Sequence, residues 1–235
     1  MSIFAALNVY RDITHRSAAI NMAIDEALLE SATSPSIRLY RWASPALSFG
    51  YFGRFADVAD NATERDLVRR WTGGGIVFHG EDFTYSIVIP ASDPAFAESP
   101  MSFYENVHRA LSRTFVQMGR EAVVNAGADH GLYNRPRAAA SSARGYNGHC
   151  FANPVRADVM IDGRKVAGAA QRRTRGGLLQ QGSVQYVDLE NGFAERFAQA
   201  LSANCSEAKI DDAVLNRARQ LAHQKYATDV WLRRR

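Results

Sequence analysis

Apolar residues recur along this chain with two different periods, one of three to four residues and one of two. In the segment 17–31, Ile20, Ala23, Ile24 and Leu28 fall at helical spacing, with acidic residues away from that face. The same period predicts a helix over 102–118. Helices are predicted over 17–31, 102–118, 192–201 and 211–226, with a short one over 60–68.

Period-two segments lie between these helices and are rich in β-branched and aromatic residues. Short polar or glycine-containing turns separate several of them, such as Asp162-Gly163, which favours hairpins. Since strands and helices do not alternate regularly, we predict an α+β fold, a mostly antiparallel sheet flanked by helices. A long loop is expected over 125–149. Strands are predicted over 37–42, 46–52, 76–79, 83–90, 156–161, 165–172 and 178–186.

Length and composition narrow the class of protein. The chain has 235 residues, of which 46% are hydrophobic and 22% charged, which is typical of an ordinary globular protein with one core. We therefore treat residues 1–235 as a single domain. No apolar run approaches the ~20 residues of a membrane span, and the first residues do not resemble a signal peptide. With two cysteines there is no disulfide framework, and we expect a cytosolic protein that does not bind membranes.

The charge balance says more about partners than about the fold. The formal net charge is +4, and no dense basic patch with interleaved aromatics is visible, so nucleic-acid binding is not expected. A negatively charged partner, such as an acidic carrier protein or a phosphorylated cofactor arm, suits a mild positive excess better. No histidines or cysteines occur at metal-ligand spacing around His79, so no metal site is predicted.

Three adjacent glycines, Gly73, Gly74 and Gly75, follow Arg70 and run into a predicted strand in the segment RRWTGGGIVFH. Their spacing matches neither a P-loop nor a dinucleotide-binding turn. Glycines weaken regular structure, so the pattern indicates either a bulge or bend, or a backbone that something must approach closely.

Cys150 and Lys165 are the two side chains with the clearest chemical potential. Cys150 ends the long predicted loop and follows His149, so it is either an exposed nucleophile or a small buried residue. Lys165 begins the stretch KVAGAAQ, whose small residues include Ala167 and Gly168. A ligand could lie flat on that backbone while the ammonium stabilises an oxyanion, although a solvated turn lysine fits the same pattern.

Jointly, these segments resemble the biotin and lipoate protein ligase superfamily, which includes the octanoyltransferases of lipoate assembly. RRWTGGGIVFH resembles its first signature, and KVAGAAQRRTRGGLLQQGS resembles its second, in which a lysine opens the stretch. The resemblance covers nearly the whole chain. It implies a biotin/lipoate ligase-like catalytic domain with the two signatures around one acyl site.

Within that superfamily, a cysteine fifteen residues before the lysine, in the context CFANP, resembles the cysteine-dependent octanoyltransferases. The resemblance implies that Cys150 and Lys165 are catalytic and that octanoyl passes from acyl carrier protein to a lysine of a lipoyl domain, such as that of glycine-cleavage H protein. It implies no cofactor, and we expect a monomer. The residues then expected to bind substrate are Arg70, Gly73, Gly74, Gly75, His79, Ala167 and Gly168.

Three other functions remain open at this point. The triple glycine is also typical of ATP-dependent lipoate–protein ligases. An octanoyl amidotransferase between lipoyl domains would use the same cysteine. A non-catalytic acyl-binding module would need neither Cys150 nor Lys165.

Overall fold

The computed structural model describes residues 2–127, 154–189 and 191–234, and within these ranges eleven strands form two sheets together with five α-helices. The strands are β1 Leu7–Arg16, β2 Ser36–Trp42, β3 Ala46–Phe49, β4 Asp66–Arg69, β5 Val77–His79, β6 Phe83–Pro90, β7 Ala122–Val124, β8 Val159–Ile161, β9 Arg164–Arg173, β10 Gly177–Val184 and β11 Cys205–Ala208. The helices are α1 Ala18–Glu30, α2 Pro100–Gln117, α3 Phe193–Leu201, α4 Asp212–Leu221 and α5 Asp229–Leu232.

The larger sheet has the order β11-β1-β2-β6-β10-β9-β8-β7 and is antiparallel except at β1, which runs parallel to both neighbours. Alternate residues of its central strands enter two separate cores. Ile87 and Leu178 pack with α2 and α3, whereas Val88 and Leu179 pack with α1 and α4. This alternation places helices on both faces of the sheet. The predicted α+β class with a mainly antiparallel sheet is confirmed.

The smaller sheet consists of β4, β3 and β5 and has its own apolar cluster around Leu47, Phe49 and Val58. Helix α1 contacts both sheets, since its contacts extend to β3 and β4 as well as to β6 and β10. The smaller sheet therefore lies on the α1 side of the larger one, and the two sheets face each other across a gap.

Four strands were not predicted, and one predicted helix is wrong. Segment 60–68 contains a short 3₁₀ turn followed by β4, because β4 pairs in parallel with β3 and this non-local pairing overrides the local pattern. Strands β1, β7 and β11 also escaped prediction. The exposed positions of β1 and β11 include charged and polar residues such as Arg11 and Glu207, and β7 has only three residues, so the period of two is weak.

Helix α1 is more deeply buried than its pattern indicates. Asp25 and Glu26 lie off the predicted apolar face, yet both are buried. Ser17 has the extended backbone of an N-cap but its side chain makes no capping bond, and Asp66 accepts the first helical N–H from Ala18 instead.

Candidate active site

A pocket occupies the gap between the two sheets. The smaller sheet and the loop after β4 contribute Ser48, Arg70, Gly74, Val77 and His79, and α1 contributes Met22. The larger sheet provides the opposite wall, which consists of Tyr40, Trp42, Thr84, Gly168, Ala169, Ala170, Gln181, Gly182 and Ser183.

Strand pairing shows which way this pocket runs. Tyr40 pairs with Thr84, Thr84 with Ser183, and Ser183 with Gly168, so these four residues form one row across β2, β6, β10 and β9. Three strand spacings correspond to about 14 Å. A slender chain can therefore lie across the strands, with one end near Gly168 and the other near Tyr40 and Trp42.

A β-bulge in β9 brings Lys165 to the pocket side of the sheet. Val159 pairs with Ala167, but Met160 pairs with Lys165, so Val166 is one residue too many for β8. Without the bulge, Lys165 would share the core-facing side with Ala167. With it, Lys165 shares the side of Gly168, where a Cβ atom would lie 2.6 Å from its Cε and 2.7 Å from its Nζ.

The Lys165 ammonium is buried and paired. Its Nζ lies 2.8 Å from Oδ2 of Asp158, and both side chains are at most 2% exposed. The Tyr104 hydroxyl donates to Oδ1 of Asp158 at 2.7 Å and accepts the backbone N–H of Ala169 at 3.1 Å. Burial and the nearby Asp158 carboxylate raise the pKa of Tyr104. This arrangement holds the ammonium of Lys165 in a fixed position next to Gly168, on the pocket side of the sheet.

Only one of the three adjacent glycines requires a left-handed backbone. Gly74 has φ +84°, and a Cβ there would lie 3.2 Å from Nη2 of Arg70 and 3.3 Å from Cβ of Ala170. The turn also meets Gly50 so closely that a Cβ on Gly50 would lie 2.0 Å from the Gly74 carbonyl oxygen. The close approach expected from the sequence is therefore, at least in part, an approach by the chain itself.

Arg70 stabilises this turn through hydrogen bonds and connects it, through Ser48, to His79. Its Nη2 donates to the carbonyl oxygens of Gly73 and Gly75 at 2.9 and 2.8 Å, and its Nη1 donates to Ser48 Oγ at 2.7 Å. Ser48 Oγ lies 2.7 Å from His79 Nε2, and His79 Nδ1 lies 2.7 Å from Asp82 Oδ2. The polar groups of this wall bond to one another, which leaves carbon atoms to face the pocket.

Sequence analysis missed the carboxylate that anchors this wall. Asp82 also accepts from Thr84, Ser183 and the Gly80 N–H, and the Trp42 ring stacks on His79 with centroids 4.0 Å apart. Burial would raise the pKa of Asp82, but its bonds to His79, Ser183 and Gly80 outweigh burial and lower it. The signal available in sequence was the polar residue pair His79 and Asp82 flanking a tight turn.

A family profile described as the lipoyl protein ligase A/B catalytic domain matches residues 17–227. The chain belongs to this family.

Curated relatives of this lipoyl protein ligase A/B domain are named Octanoyltransferase LipM. The protein of Oceanobacillus iheyensis is 37% identical over 179 residues, which cover 73% of this chain and 61% of that relative. The protein of Staphylococcus aureus is 32% identical over 209 residues, covering 83% of this chain and 72% of the relative. The chain thus spans somewhat less than two thirds of the first of these two relatives.

Solved structures of lipoate ligases share the fold of this domain. A lipoate-protein ligase A bound with ATP superposes with a TM-score of 0.70 at 20% identity, covering 99% of this chain and 98% of the other. A bipartite lipoate protein ligase from Thermoplasma acidophilum gives a TM-score of 0.62 at 21% identity, covering 97% and 95%. These similarities support the biotin/lipoate ligase-like architecture expected from sequence.

The structure brings together some of the predicted site residues and separates others. Arg70, Gly74, His79 and Gly168 line the pocket, and Lys165 lies beneath Gly168. Ala167 points away from the pocket into the core, where it is fully buried. Gly73 and Gly75 take part through the carbonyl groups that Arg70 binds. Cys150, like His149, lies outside the described residues.

Within the ranges that the structure describes, no three His, Cys, Asp or Glu side chains gather in a way that could hold a metal ion. None of the helices in those ranges is long and apolar enough to cross a membrane.

Proposed function

We propose that the protein is an octanoyltransferase of lipoate assembly, which moves an octanoyl group from acyl carrier protein to a lysine of a lipoyl domain. The observation that carries this proposal is the narrow pocket between the sheets with a buried ammonium beneath one end. The shared name of the curated relatives supports the same activity.

The pocket suits an unbranched acyl chain. An octanoyl chain that starts at Gly168 and runs along the row toward Tyr40 would bury its six methylenes and its terminal methyl, and each methylene contributes about 0.8 kcal/mol. The polar side chains of the wall bond to one another, so they do not need the substrate as a partner. The carbonyl end would then lie near Gly168 and Lys165, and the methyl end near Trp42.

The reaction proposed for this site proceeds through a thioester on Cys150. The Cys150 thiolate attacks the donor thioester carbon, and the carrier thiolate leaves. The ammonium of Lys165 stabilises the oxyanion that forms on the carbonyl oxygen. Asp158 positions Lys165 for this task, because a buried ammonium keeps a fixed place only when a partner holds it.

In the second half-reaction, a lysine amine of the acceptor attacks the acyl-enzyme and forms an amide, releasing the Cys150 thiol. Exchange between thioesters is nearly isoenergetic, and conversion of a thioester to an amide is downhill. The proposed reaction therefore needs no ATP and no cofactor. Acceptors are lipoyl domains, with glycine-cleavage H protein as the expected example, in the cytoplasm.

Intact-protein mass spectrometry tests this proposal directly. Incubation with octanoyl acyl carrier protein alone should add one octanoyl mass, which neutral hydroxylamine removes. Cys150→Ser should abolish the labelling. Lys165→Ala should slow it by about 10²- to 10³-fold, the usual effect of removing one oxyanion donor. Lys209→Ala, which removes an exposed lysine, should label at the wild-type rate.

Other outcomes would assign a different reaction. Transfer that requires ATP and free lipoate, and that persists in Cys150→Ser, would identify a ligase. Labelling only by an octanoylated lipoyl domain would identify an amidotransferase. An unlabelled protein that binds octanoyl carrier protein without transfer would identify a binding module.

A further inference from the structure

A chain of hydrogen bonds runs from Arg70 through Ser48 and His79 to Asp82 along one wall of the pocket. Each of its three hydrogen bonds has a donor–acceptor distance of 2.7 Å, and all four side chains are buried. Arg70, Ser48 and His79 line the pocket, and neither Ser48 nor Asp82 has a chemical role in the proposed reaction.

The hydrogen-bond chain has a guanidinium, which can only donate, at one end and a carboxylate, which accepts, at the other. When the His79 ring carries a single proton, that proton lies on Nδ1, because the Asp82 carboxylate can only accept, and Nε2 is left as an acceptor. The Ser48 hydroxyl must then donate to Nε2, and its lone pair receives the N–H of Arg70. Charge at both ends strengthens each intermediate bond.

This chain joins the two sheets. Arg70 directly follows β4, Ser48 lies in β3, and His79 ends β5, so the chain crosses the whole smaller sheet. Asp82 precedes β6 of the larger sheet and accepts from Ser183 of β10 at 2.7 Å. At the other end, Arg70 holds the glycine turn that rests on Ala170.

We propose that Asp82, His79 and Ser48 are positioning residues that hold the smaller sheet and the glycine turn at a fixed height above the larger sheet and thereby set the width of the acyl pocket. The identity of the occupant rests on the proposed function. The existence and direction of the hydrogen-bond chain do not.

The same three residues invite comparison with a Ser-His-Asp nucleophile. In a serine hydrolase the hydroxyl oxygen is presented to the substrate carbonyl. Here the guanidinium of Arg70 already occupies a lone pair of Ser48 Oγ at 2.7 Å. The serine therefore transmits a hydrogen bond between two partners and is not presented for acyl transfer.

Paired serine variants test the positioning role. Ser48→Ala breaks the chain, and Ser86→Ala is its matched control, since Ser86 is also a buried strand serine, bonded to Asp25 at 2.7 Å and absent from the pocket lining. Ser48→Ala should raise the KM for octanoyl carrier protein about tenfold, the effect of one lost buried hydrogen bond, with kcat within about twofold. It should also reduce discrimination against a methyl-branched octanoyl donor, whereas Ser86→Ala should do neither.

Asp82→Asn should have the same effect as Ser48→Ala, because a neutral amide does not require the His79 proton to lie on Nδ1. The pH profile of kcat should stay unchanged in both variants. A fall in kcat with a displaced profile would make His79 a proton-transfer group and overturn the positioning role. Equal behaviour of Ser48→Ala and Ser86→Ala, or labelling of Ser48 by a fluorophosphonate, would overturn it as well.

Nitrogen NMR of His79 separates this inference from the proposed function. At pH 8 the ring proton should be found on Nδ1 in the wild-type protein, whether or not any acyl donor reacts. A proton on Nε2 would disprove the chain. If the proton lies on Nδ1 but no octanoyl donor labels the protein, the proposed function would be wrong. The hydrogen-bond chain would then still determine the shape of the pocket.

Discussion

Arg38 and Lys165 are both buried cations paired with buried aspartates, yet their surroundings differ. All five N–H groups of Arg38 have protein acceptors, on Asp12, Asp25 and both oxygens of Asn21. Burial would lower the pKa of Arg38, but Asp25, Tyr40 and Asp12 outweigh it and raise it. A guanidinium whose every donor is engaged inside the core has nothing to offer a substrate.

Lys165 has the same charge and almost the same burial, but it lies beneath a glycine of the pocket wall. A bulge rather than regular pairing gives it that position. A buried ion pair by itself therefore does not indicate function. What distinguishes Lys165 is that a bulge in the backbone brings its ammonium next to Gly168 of the pocket wall.

The largest expected effect on stability comes from Arg38→Met. The substitution leaves Asp12 and Asp25 buried without their cation, and breaking a buried pair in this way costs about 3–5 kcal/mol of unfolding free energy. Urea denaturation measures the loss. Arg217→Met, which removes a surface partner of Glu30, should cost far less.

Acylation by the Arg38→Met protein that remains folded should match the wild-type rate. If that rate fell as far as in Lys165→Ala, the distinction between a structural and a functional cation would fail.

Gly168→Ala should displace the ammonium of Lys165 and reduce activity. The new Cβ would overlap Lys165 Cε and Nζ, so the ammonium must move away from Asp158. Overpacking of this kind costs about 1–3 kcal/mol, and the rate of acylation should fall by at least tenfold. Thermal unfolding and mass-spectrometric labelling measure the two effects.

Gly176→Ala is the control for that substitution, since a Cβ at this position, away from the pocket lining, would meet only Thr174 Oγ1, at 3.8 Å. It should fold and react as the wild type does. A Gly168→Ala protein with full activity would show that the ammonium position beneath the pocket wall is unimportant.

His108 makes the stability of the Lys165 region depend on pH. Its Nδ1 lies 2.6 Å from the Ala157 carbonyl oxygen, its Nε2 lies 3.3 Å from the Tyr85 hydroxyl, and Tyr104 packs on its ring. Burial lowers the pKa of His108 to about 4, although Ala157 and Asp158 oppose that shift and Lys165 adds to it. Between about pH 6.5 and 4, His108 therefore binds a proton in the unfolded protein but largely not in the folded one.

Stability should consequently fall as pH falls through that window, by about 2 kcal/mol between pH 7 and 5 from this group. Urea unfolding at several pH values measures the slope, and His108→Gln should remove its share of it. An unchanged slope in the variant would show that the pKa of His108 is not lowered by folding.

The smallest effect is expected at the hairpin that leads into β9. Gly163 has φ +74° and open space around a Cβ, so Gly163→Ala should cost only the left-handed backbone strain, about 1 kcal/mol. Gly176→Ala, in the turn at the other end of β9, does not need a left-handed backbone and should change stability less. Equal melting temperatures for the two variants would contradict the assignment of this turn.

Much of the architecture could be predicted from local patterns. Helices α1 and α2 and the strands on either side of Asp162-Gly163 follow from apolar spacing and turn residues. Strand β4 could not be predicted, because its identity depends on parallel pairing with β3, twenty residues earlier. The burial of Asp25 also depends on distant partners, namely Arg38, Ser86 and Gln181.

For the candidate site, the sequence pointed to residue types but not to their arrangement. Arg70, Gly74, His79 and Gly168 were expected to contact substrate, and they line one pocket. Ala167 was grouped with Gly168 because both are small, but neighbours on a strand face opposite sides. The role of Cys150 stays a prediction.

By itself, the sequence determined the four longer helices, the hairpins, the family and the two chemically promising segments, since spacing and composition act over a few residues. Only the tertiary structure decided that Lys165 turns to the pocket side of β9, that Gly74 alone of the three glycines needs a left-handed backbone, and that Asp82 anchors a wall made from two sheets. These outcomes depend on register and on contacts between residues far apart in the chain, and local periodicity carries no information about either.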